Sequence, residues 1–268
     1  MPQLSRISIH PIKGLDPESR SRIEITDVGG LSGDRQFAMV ADDGGYINGK
    51  RTAAVHRLRS NVDLETRNLT LRVEGNDASV DFHVDRDRSD LESWLSAYFD
   101  VGVTIEEASG GEQTDGAVYG DGSKTGPTLI SHSTLHEVAS WYEGIDADEI
   151  RRRLRPNLVI DGVPPFWEDR LVADGGQRIR IGDVVLEGVD PVPRCVVPTR
   201  HPRTGEPYEG FRETFIHRRE DTLPDWVDRT AFDGNLYSLM ASCRIPREER
   251  DGELVVGSDV RLEDSAQE

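Results

Sequence analysis

Hydrophobic and polar residues alternate in short runs along much of the chain, which is the period of half-buried strands. The first run places Leu4, Ile7 and Ile9 among polar neighbours and stops at Pro11, so it predicts a strand. Similar runs between Gly- and Asp-rich turns predict first-half strands at 21–26, 35–41, 62–65, 68–73 and 78–82. Second-half strands are predicted at 157–162, 178–181, 184–190 and 193–199, and within "LYSLMASCRI", "GELVV" and "DVRLE".

Three segments have the period of a helix instead. In the first, Ser89 or Asp90 is expected to cap a helix whose apolar face holds Leu91, Trp94, Leu95 and Tyr98. In the second, Thr134 and Glu137 fit a capping box, ahead of a buried face formed by Leu135, Val138, Ala139 and Tyr142. The third is the short stretch "DADEIRRRL".

Residues 108–127 contain many glycines and few apolar side chains, which predicts a linker. Its "GDGSKTG" has Ser123 before Lys124 where a phosphate-binding P-loop needs Gly, and no strand precedes it.

Because of this linker, we expect two domains, at 1–107 and 128–264. Strands dominate both and do not alternate regularly with helices, so the predicted class is β-rich α+β. Each domain is expected to be built around a mainly antiparallel β-barrel or sheet with a few helices.

Charge and composition indicate which partners and which cellular location to expect. The 268 residues carry a formal net charge of −18, and three lysines stand against 29 arginines, a balance that predicts a surface adapted to a salt-rich cytosol. The same charge repels nucleic acid and anionic lipid, so we expect no nucleic-acid or membrane partner. Two cysteines provide no disulfide framework, and no apolar run forms a signal core or approaches the roughly 20 residues that span a bilayer. The expected location is the cytoplasm.

Cys195 lies in a stiff, polar segment, "DPVPRCVVPTRHPRTG". A cysteine in a strand is more often a small buried hydrophobe than a ligand, and Cys243 fits that description. Arg194 and Arg200 near Cys195 favour a thiolate, the species that binds soft metals. Zinc needs three or four closely spaced ligands, which the surrounding sequence does not supply. Cys195 is therefore predicted to be a metal ligand, and a Cys–His nucleophile is the open alternative.

Cationic residues also occur at the ends of predicted strands, for example Lys13 and Arg35 in the first half. On so acidic a chain, such cations are candidates for holding an anion. The alternative is that each one pairs with some of the 50 acidic side chains, which is the more common role for any single arginine.

Several motifs, taken in their order and spacing, resemble those of the MOSC family, named for the C-terminal domain of molybdenum cofactor sulfurase. They are "HPIKG", "GDRQF", "RPNLVIDG", "FWED", "IGDVVL", "PRCVVPTRHPRTG", "FDGNLY" and "VVGSDVRL". The resemblance covers nearly the whole chain and includes the β-barrel domain that often precedes the MOSC domain. The architecture is similar to that of the mitochondrial amidoxime-reducing components and their bacterial relatives.

The resemblance implies a site for molybdenum cofactor. Cys195 matches the cysteine that ligates molybdenum, and Arg194 would flank the metal as a second catalytic residue. The positions that would grip the pterin and its phosphate come from both halves of the chain: Lys13, Arg35, Arg155 and Asn157. The resemblance gives Glu168 and Asp169 no certain role.

A further implied contact is the start of the second predicted helix, where Ser131, His132 and Ser133 would meet the cofactor's phosphate. This expectation also has a physical basis, because a helix N-terminus presents unpaired N–H groups and a positive dipole end to an anion.

The implied activity is reduction of small N-hydroxylated or related N-oxygenated compounds by the molybdenum cofactor. Certain bacterial relatives append a ferredoxin-like domain, and this chain ends at 268 without one. We therefore expect electrons from a separate protein of the ferredoxin, flavin or cytochrome type. Two alternatives stay open: a non-catalytic carrier of the cofactor, and a transferase that carries sulfur on Cys195 as a persulfide.

Overall fold

The computed structural model describes residues 1–108, 126–173, 177–227 and 229–263. Within residues 1–108 the chain forms eight strands, one α-helix and a 3₁₀ turn at Ala53–Arg57. The strands and the helix are β1 (Gln3–Ile9), β2 (Glu18–Arg20), β3 (Arg22–Glu24), β4 (Phe37–Ala41), β5 (Leu58–Asp63), β6 (Asn68–Val73), β7 (Ser79–His83), α1 (Arg88–Phe99) and β8 (Val103–Glu107).

The second half adds further strands, three α-helices and short 3₁₀ turns in its described residues. Its strands and α-helices are β9 (Thr128–Ser131), α2 (His132–Ser140), α3 (Ala147–Leu154), β10 (Leu158–Asp161), β11 (Arg178–Ile181), β12 (Val184–Pro193), α4 (Phe211–Asp221), β13 (Ser238–Arg244), β14 (Glu253–Val255) and β15 (Val260–Leu262). Its 3₁₀ turns are Trp167–Leu171, Val197–Thr199, Arg229–Phe232 and Arg247–Glu249.

One eight-stranded sheet joins the two halves, in the order β15-β11-β12-β13-β9-β10-β1-β2. The N-terminal strand β1 runs antiparallel to β10, with Ile7 opposite Leu158, and β3 pairs with β14 near the C-terminus. Within this sheet β9 and β10 are parallel, and the other neighbours are antiparallel. The first three strands therefore complete sheets that are otherwise built by the second half.

Apolar packing follows this arrangement. One core contains only residues between Ile12 and Ile105, so it belongs to the first half. A second core is shared, because the fully buried side chains of Leu4 and Ile7 pack with residues such as Leu158. A third core holds α2, α3 and α4 against the opposite face of the sheet. Burying three apolar residues of β1 in the shared core fixes the first loops beside the second half.

The predicted β-rich α+β class is confirmed, and the strands predicted at 68–73 and 178–181 have the predicted bounds. Nearly all of the predicted linker at 108–127, including Lys124, lies outside the described residues. The domain limits at 107 and 128 stay predictions, although the pairing of β1 with β10 carries the first strands across them.

The structure departs from several local expectations and adds a helix that was not predicted. The strand expected at 193–199 ends at Pro193 and gives way to a 3₁₀ turn, because Pro193 and Pro198 have no N–H for a sheet. Helix α1 follows Asp87, not Ser89 or Asp90. Helix α2 begins earlier than the expected capping box. Helix α4 was not anticipated, because few apolar residues mark its buried side.

Candidate functional site

A cavity of about 760 Å³ lies between loops of the first half and the segment that carries Cys195. Its walls come from the segments around Lys13, Asn48, His56, Arg155 and Cys195. The antiparallel pairing of β1 with β10 brings the segments around Lys13 and Arg155 together, because the loop after β1 and the loop before β10 leave the sheet at neighbouring positions. The cavity is thus a product of the shared sheet.

The cavity wall is strongly basic. Of the described residues that line it, eleven are cationic and one, Asp16, is acidic. The cations are Arg6, Lys13, Arg35, Lys50, Arg59, Arg151, Arg152, Arg153, Arg155, Arg200 and Arg203. Because the chain as a whole carries a net charge of −18, this concentration is opposite in sign to the molecule. Such a cavity attracts and holds an anionic ligand.

Cys195 is the nucleophilic side chain of this wall. Strand β12 ends at Pro193, and the N–H of Arg194 donates to the carbonyl of Tyr237 at 2.8 Å, which fixes the chain just before the thiol. The thiol of Cys195 is free and exposed. The other cysteine, Cys243, is fully buried, and burial raises the pKa of its thiol to about 12. Of the two thiols, Cys195 is therefore the one available to a ligand.

Arg194, which the resemblance places beside the metal, does not line the cavity. Its Nη2 donates to the carbonyl of Leu154 at 2.8 Å, at the C-terminal end of α3, and its side chain is not part of the cavity wall. Burial lowers the pKa of Arg194. Arg194 thus ties the Cys195 segment to α3, and we interpret it as a positioning residue.

Arg35 and Arg155 line the cavity from backbone positions that usually favour glycine. Their φ angles are 51° and 58°, and Arg155 is the residue that ends α3. A left-handed residue other than Gly costs roughly 1–2 kcal/mol. The Arg155 Nη2 donates to the carbonyl of Leu15 at 2.7 Å. Burial, together with the charge of Arg35, lowers the pKa of Arg155 to about 10.

Asn157 is brought close to these residues but does not line the cavity. Its Nδ2 donates to the carbonyl of Ser8 and to Oδ2 of Asp34, both at 3.1 Å. Its Oδ1 accepts from the N–H and the hydroxyl of Thr128, at 3.1 and 3.2 Å. The amide therefore uses its two donors and its acceptor inside the protein. Its structural role is to position other groups.

Asp34 connects Asn157 to the cavity. The carboxylate accepts from Asn157 and Arg35 through Oδ2 and from the N–H of His10, at 2.8 Å, through Oδ1. Burial would raise the pKa of Asp34, but Arg35 and the bonds from His10 outweigh it and lower the pKa to about 2. The ionised Asp34 holds Arg35 at the wall of the cavity, with Asn157 behind it.

Lys13 completes the first-half part of the wall. Its N–H donates to the carbonyl of Phe37, and its ammonium lies 3.9 Å from the centre of the Tyr46 ring. The ring face stabilises the cation without neutralising its charge. Lys13, Arg35, Arg155 and Cys195 are thus the predicted site residues that the structure brings to one cavity.

The start of α2 does not reach this cavity. Ser131 is fully buried, and its Oγ accepts from the N–H of Thr134, so it caps the helix. The hydroxyl of Ser133 donates to the carbonyl of Val163 at 2.6 Å. His132 is half exposed and lines a separate cavity of about 240 Å³. The structure therefore gives these serines a structural use and places His132 at a different surface.

Glu168 and Asp169 lie in the interior behind α2. Glu168 accepts from the hydroxyl of Thr134 at 3.1 Å, and burial together with Asp169 raises its pKa to about 7. Asp169 forms a buried ion pair with Arg219 of α4. Neither carboxylate lines the cavity, and both lie where α2, α4 and the turn at Trp167–Leu171 pack together.

Sequence reasoning missed several cations of the wall, among them Lys50, Arg59 and Arg203, and it named Arg200 only as a neighbour of Cys195. Two signals could have found some of them. Lysine is scarce in this chain, yet Lys13 and Lys50 both line the cavity. Arg200 and Arg203 follow Cys195 in the same short segment. Arg59 has no comparable signal, because only folding brings it to the wall.

Two features are not found among the described residues: a metal site built from protein ligands alone and a membrane-spanning helix. Within the described ranges, no group of three or more His, Cys, Asp and Glu residues could form a metal site from protein ligands alone. In the same part of the chain, no helix is long and apolar enough to cross a membrane. A metal bound at Cys195 would therefore complete its coordination with ligands from a bound group.

Comparison with known proteins gives two family matches and two relatives. A model described as the MOSC N-terminal beta barrel domain matches residues 1–108, and the MOSC domain model matches residues 127–261. Molybdenum cofactor sulfurase of Caenorhabditis briggsae is 26% identical over 224 residues, which are 77% of this chain and 30% of that protein. The Caenorhabditis elegans protein of the same name is 27% identical over 114 residues, 41% of this chain and 15% of its own length. The chain thus spans less than a third of these relatives.

Proposed function

Because the chain belongs to the MOSC domain family, we propose that its basic cavity binds molybdenum cofactor and that the protein reduces N-oxygenated small molecules. The family and the two relatives link the chain to molybdenum cofactor, which agrees with the resemblance of its motifs. The observation that carries the proposal is the exposed thiol of Cys195 in a wall of eleven cations.

The residues of the cavity suit this cofactor. A thiolate is a ligand for soft, thiophilic metals, and Cys195 supplies one at the cavity surface. The pterin carries a phosphate, and Lys13, Arg35 and Arg155 are cations that would hold it. Asp34 and Asn157 keep Arg35 in place from behind, and Arg194 keeps the Cys195 segment against α3.

When bound, the molybdenum cofactor supplies two-electron redox chemistry, and the protein supplies binding and orientation. Removing the oxygen of an N–OH group takes two electrons and two protons and yields N–H and water. The proposal therefore includes a separate electron-donor protein, of the ferredoxin, flavin or cytochrome type, acting with this protein in the cytoplasm. The cationic wall would stabilise negative charge that develops as the N–O bond breaks.

A second candidate is sulfur transfer, in which Cys195 carries a persulfide. The name of the two relatives and the exposed, free thiol favour it. In that case the cationic cavity would hold the cofactor as the acceptor of sulfur.

The experiment compares wild type with Cys195→Ala and uses Cys243→Ala as the matched control. Each protein is purified from a molybdenum-replete host, and molybdenum, pterin and reduction of an aromatic amidoxime with a chemical reductant are measured. We expect Cys195→Ala to lose molybdenum and turnover, whereas Cys243→Ala keeps both because its thiol is buried.

Undiminished turnover by Cys195→Ala would contradict the assignment. Molybdenum and pterin without turnover in wild type would favour a carrier. A persulfide on Cys195 without bound molybdenum would favour sulfur transfer.

A further inference from the structure

The cations of the cavity wall differ in how they are paired. Arg59 binds Asp16 at 2.9 Å and Glu74 at 3.3 Å, and Arg203 lies 3.5 Å from Glu74. Arg200 is different: among the described residues its guanidinium has no ion pair or side-chain hydrogen bond, and its Nε is buried without a partner. A buried donor without an acceptor costs about 1–3 kcal/mol. Arg200 therefore adds to the cavity wall a positive charge that no described carboxylate neutralises.

Arg200 lies close to Cys195 along the chain. The 3₁₀ turn Val197–Thr199 separates the two residues, and both side chains line the same cavity. Five residues at the rise of a 3₁₀ helix span about 10 Å. A single small aromatic molecule can extend between the two positions, with its N-oxygenated group at the cofactor that Cys195 would hold and an acidic group at Arg200.

The loop that carries Arg200 is held against the first half of the chain. Gly205 has a φ of 77°, and a Cβ there would lie 2.8 Å from the carbonyl oxygen of Ala53. Arg59 donates to the carbonyl of Pro202 at 3.4 Å. These close contacts require glycine at 205 and fix the loop, so the guanidinium is presented to the cavity by a positioned backbone.

The neighbouring groups leave this end of the cavity positive. His56 is buried beside it, and burial, together with Arg200, Arg155 and Arg59, lowers the pKa of the imidazole. The one acidic residue of the described wall, Asp16, is bound by Arg59. No described carboxylate therefore neutralises Arg200.

We propose that Arg200 binds an oxyanion carried by the substrate, a carboxylate or a phosphonate-like group, and so selects acidic N-oxygenated compounds. The inference deepens the proposed function and rests on it. Arg200 acts as a specificity residue, whereas Lys13, Arg35 and Arg155 hold the cofactor. The planar guanidinium can form bidentate hydrogen bonds with either oxyanion.

The test uses three aromatic amidoximes that differ at one ring position: neutral, carboxylated and phosphonated. Binding to cofactor-loaded protein is measured by calorimetry without a reductant, and KM is measured with one. Wild type should bind one or both acidic compounds roughly 10- to 100-fold more tightly than the neutral one. Arg200→Gln should remove this preference, and it is compared with wild type in protein samples of equal molybdenum and pterin content.

The matched control is Arg247→Gln, which removes the same charge from an exposed position outside the cavity and should keep the preference. If Arg200→Gln does not fold, Arg200→Lys replaces it and should weaken the preference by roughly tenfold. The inference is overturned if wild type shows no preference, if the variant retains it, or if the variant loses the cofactor. Binding is measured without turnover. If wild type binds the acidic compounds more tightly but reduces none of the three, that result would contradict the proposed function alone.

Discussion

At the scale of single residues, the surroundings of a side chain decide whether it can meet a ligand. Cys243 is enclosed by apolar residues of the shared core, whereas Cys195 is exposed in the cavity wall. Asn157 and Arg155 are two positions apart, yet Arg155 lines the cavity and Asn157 does not. The direction of each side chain, which residue type does not specify, decides which of them can meet a ligand.

Asn157 provides a prediction at this scale. Replacing Asn157 by Ala removes the hydrogen bonds that its amide forms with the N–H of Thr128 and the carbonyl of Ser8. It also removes the hydrogen bond to Asp34. We expect the free energy of unfolding to fall by about 3 kcal/mol, measured by urea denaturation. The matched control is Asn68→Ala, at an exposed position on β6, which should change it by less than about 0.5 kcal/mol.

Equal destabilisation by the two variants would contradict the interpretation of Asn157 as a buried structural hub. A stable Asn157→Ala protein that has lost its pterin would mean that Asn157 matters for the cofactor site and not for stability.

At the scale of elements, buried polar groups join α2 to its neighbours. Ser131 caps α2, and Thr134, one turn later, donates to Glu168 and accepts from the N–H of Phe166. The sequence indicated a cap in this region, but it assigned the cap to Thr134 because the pattern Thr-x-x-Glu fits a capping box. Packing against the turn at Trp167–Leu171 engages Thr134 elsewhere, so Ser131 takes the capping role.

Glu168 makes this junction sensitive to pH. Its pKa in the folded protein, about 7, lies above the ordinary value of 4.5, so between these values the folded state keeps a proton that the unfolded state releases. Folding is therefore favoured by this group at low pH, and the advantage is lost as the pH rises toward 7. The loss amounts to about 3 kcal/mol.

The check is urea denaturation of wild type and Glu168→Gln at pH 5 and pH 8. We expect the free energy of unfolding of wild type to fall more than that of the variant over this interval. Parallel changes in the two proteins would rule out the buried carboxyl as the cause. Asp169, whose pKa is also raised by burial, remains paired with Arg219 in both.

At the scale of the whole molecule, the N-terminal strand belongs to a sheet of the second half. Leu4, Ile7 and Ile9 are fully buried in the shared core. Burying each such side chain contributes about 2 kcal/mol to the free energy of folding. Their total is comparable with the net stability of a typical domain, about 5–15 kcal/mol.

This arrangement predicts that residues 126–263 do not fold alone. Without β1 the strand β10 has an unpaired edge, and part of the shared core is exposed. We expect poor amide dispersion in an NMR spectrum of the fragment and no cooperative thermal transition. The same fragment with residues 1–26 appended should recover both, since it regains β1 to β3.

A well-dispersed spectrum and a cooperative transition from the 126–263 fragment alone would refute this prediction. They would mean that the second half forms a complete domain without the N-terminal strands.

The sequence by itself determined the β-rich class, most strands and the exceptional position of Cys195, because alternation, turn residues and local charge are properties of neighbouring residues. The tertiary structure decided which cations meet: Arg59, Arg155 and Arg200 are far apart in the chain and converge only when β1 joins β10. It also decided that Asn157 and Ser131 stabilise the fold from the interior. Such roles depend on hydrogen bonds between distant segments, which no local pattern encodes.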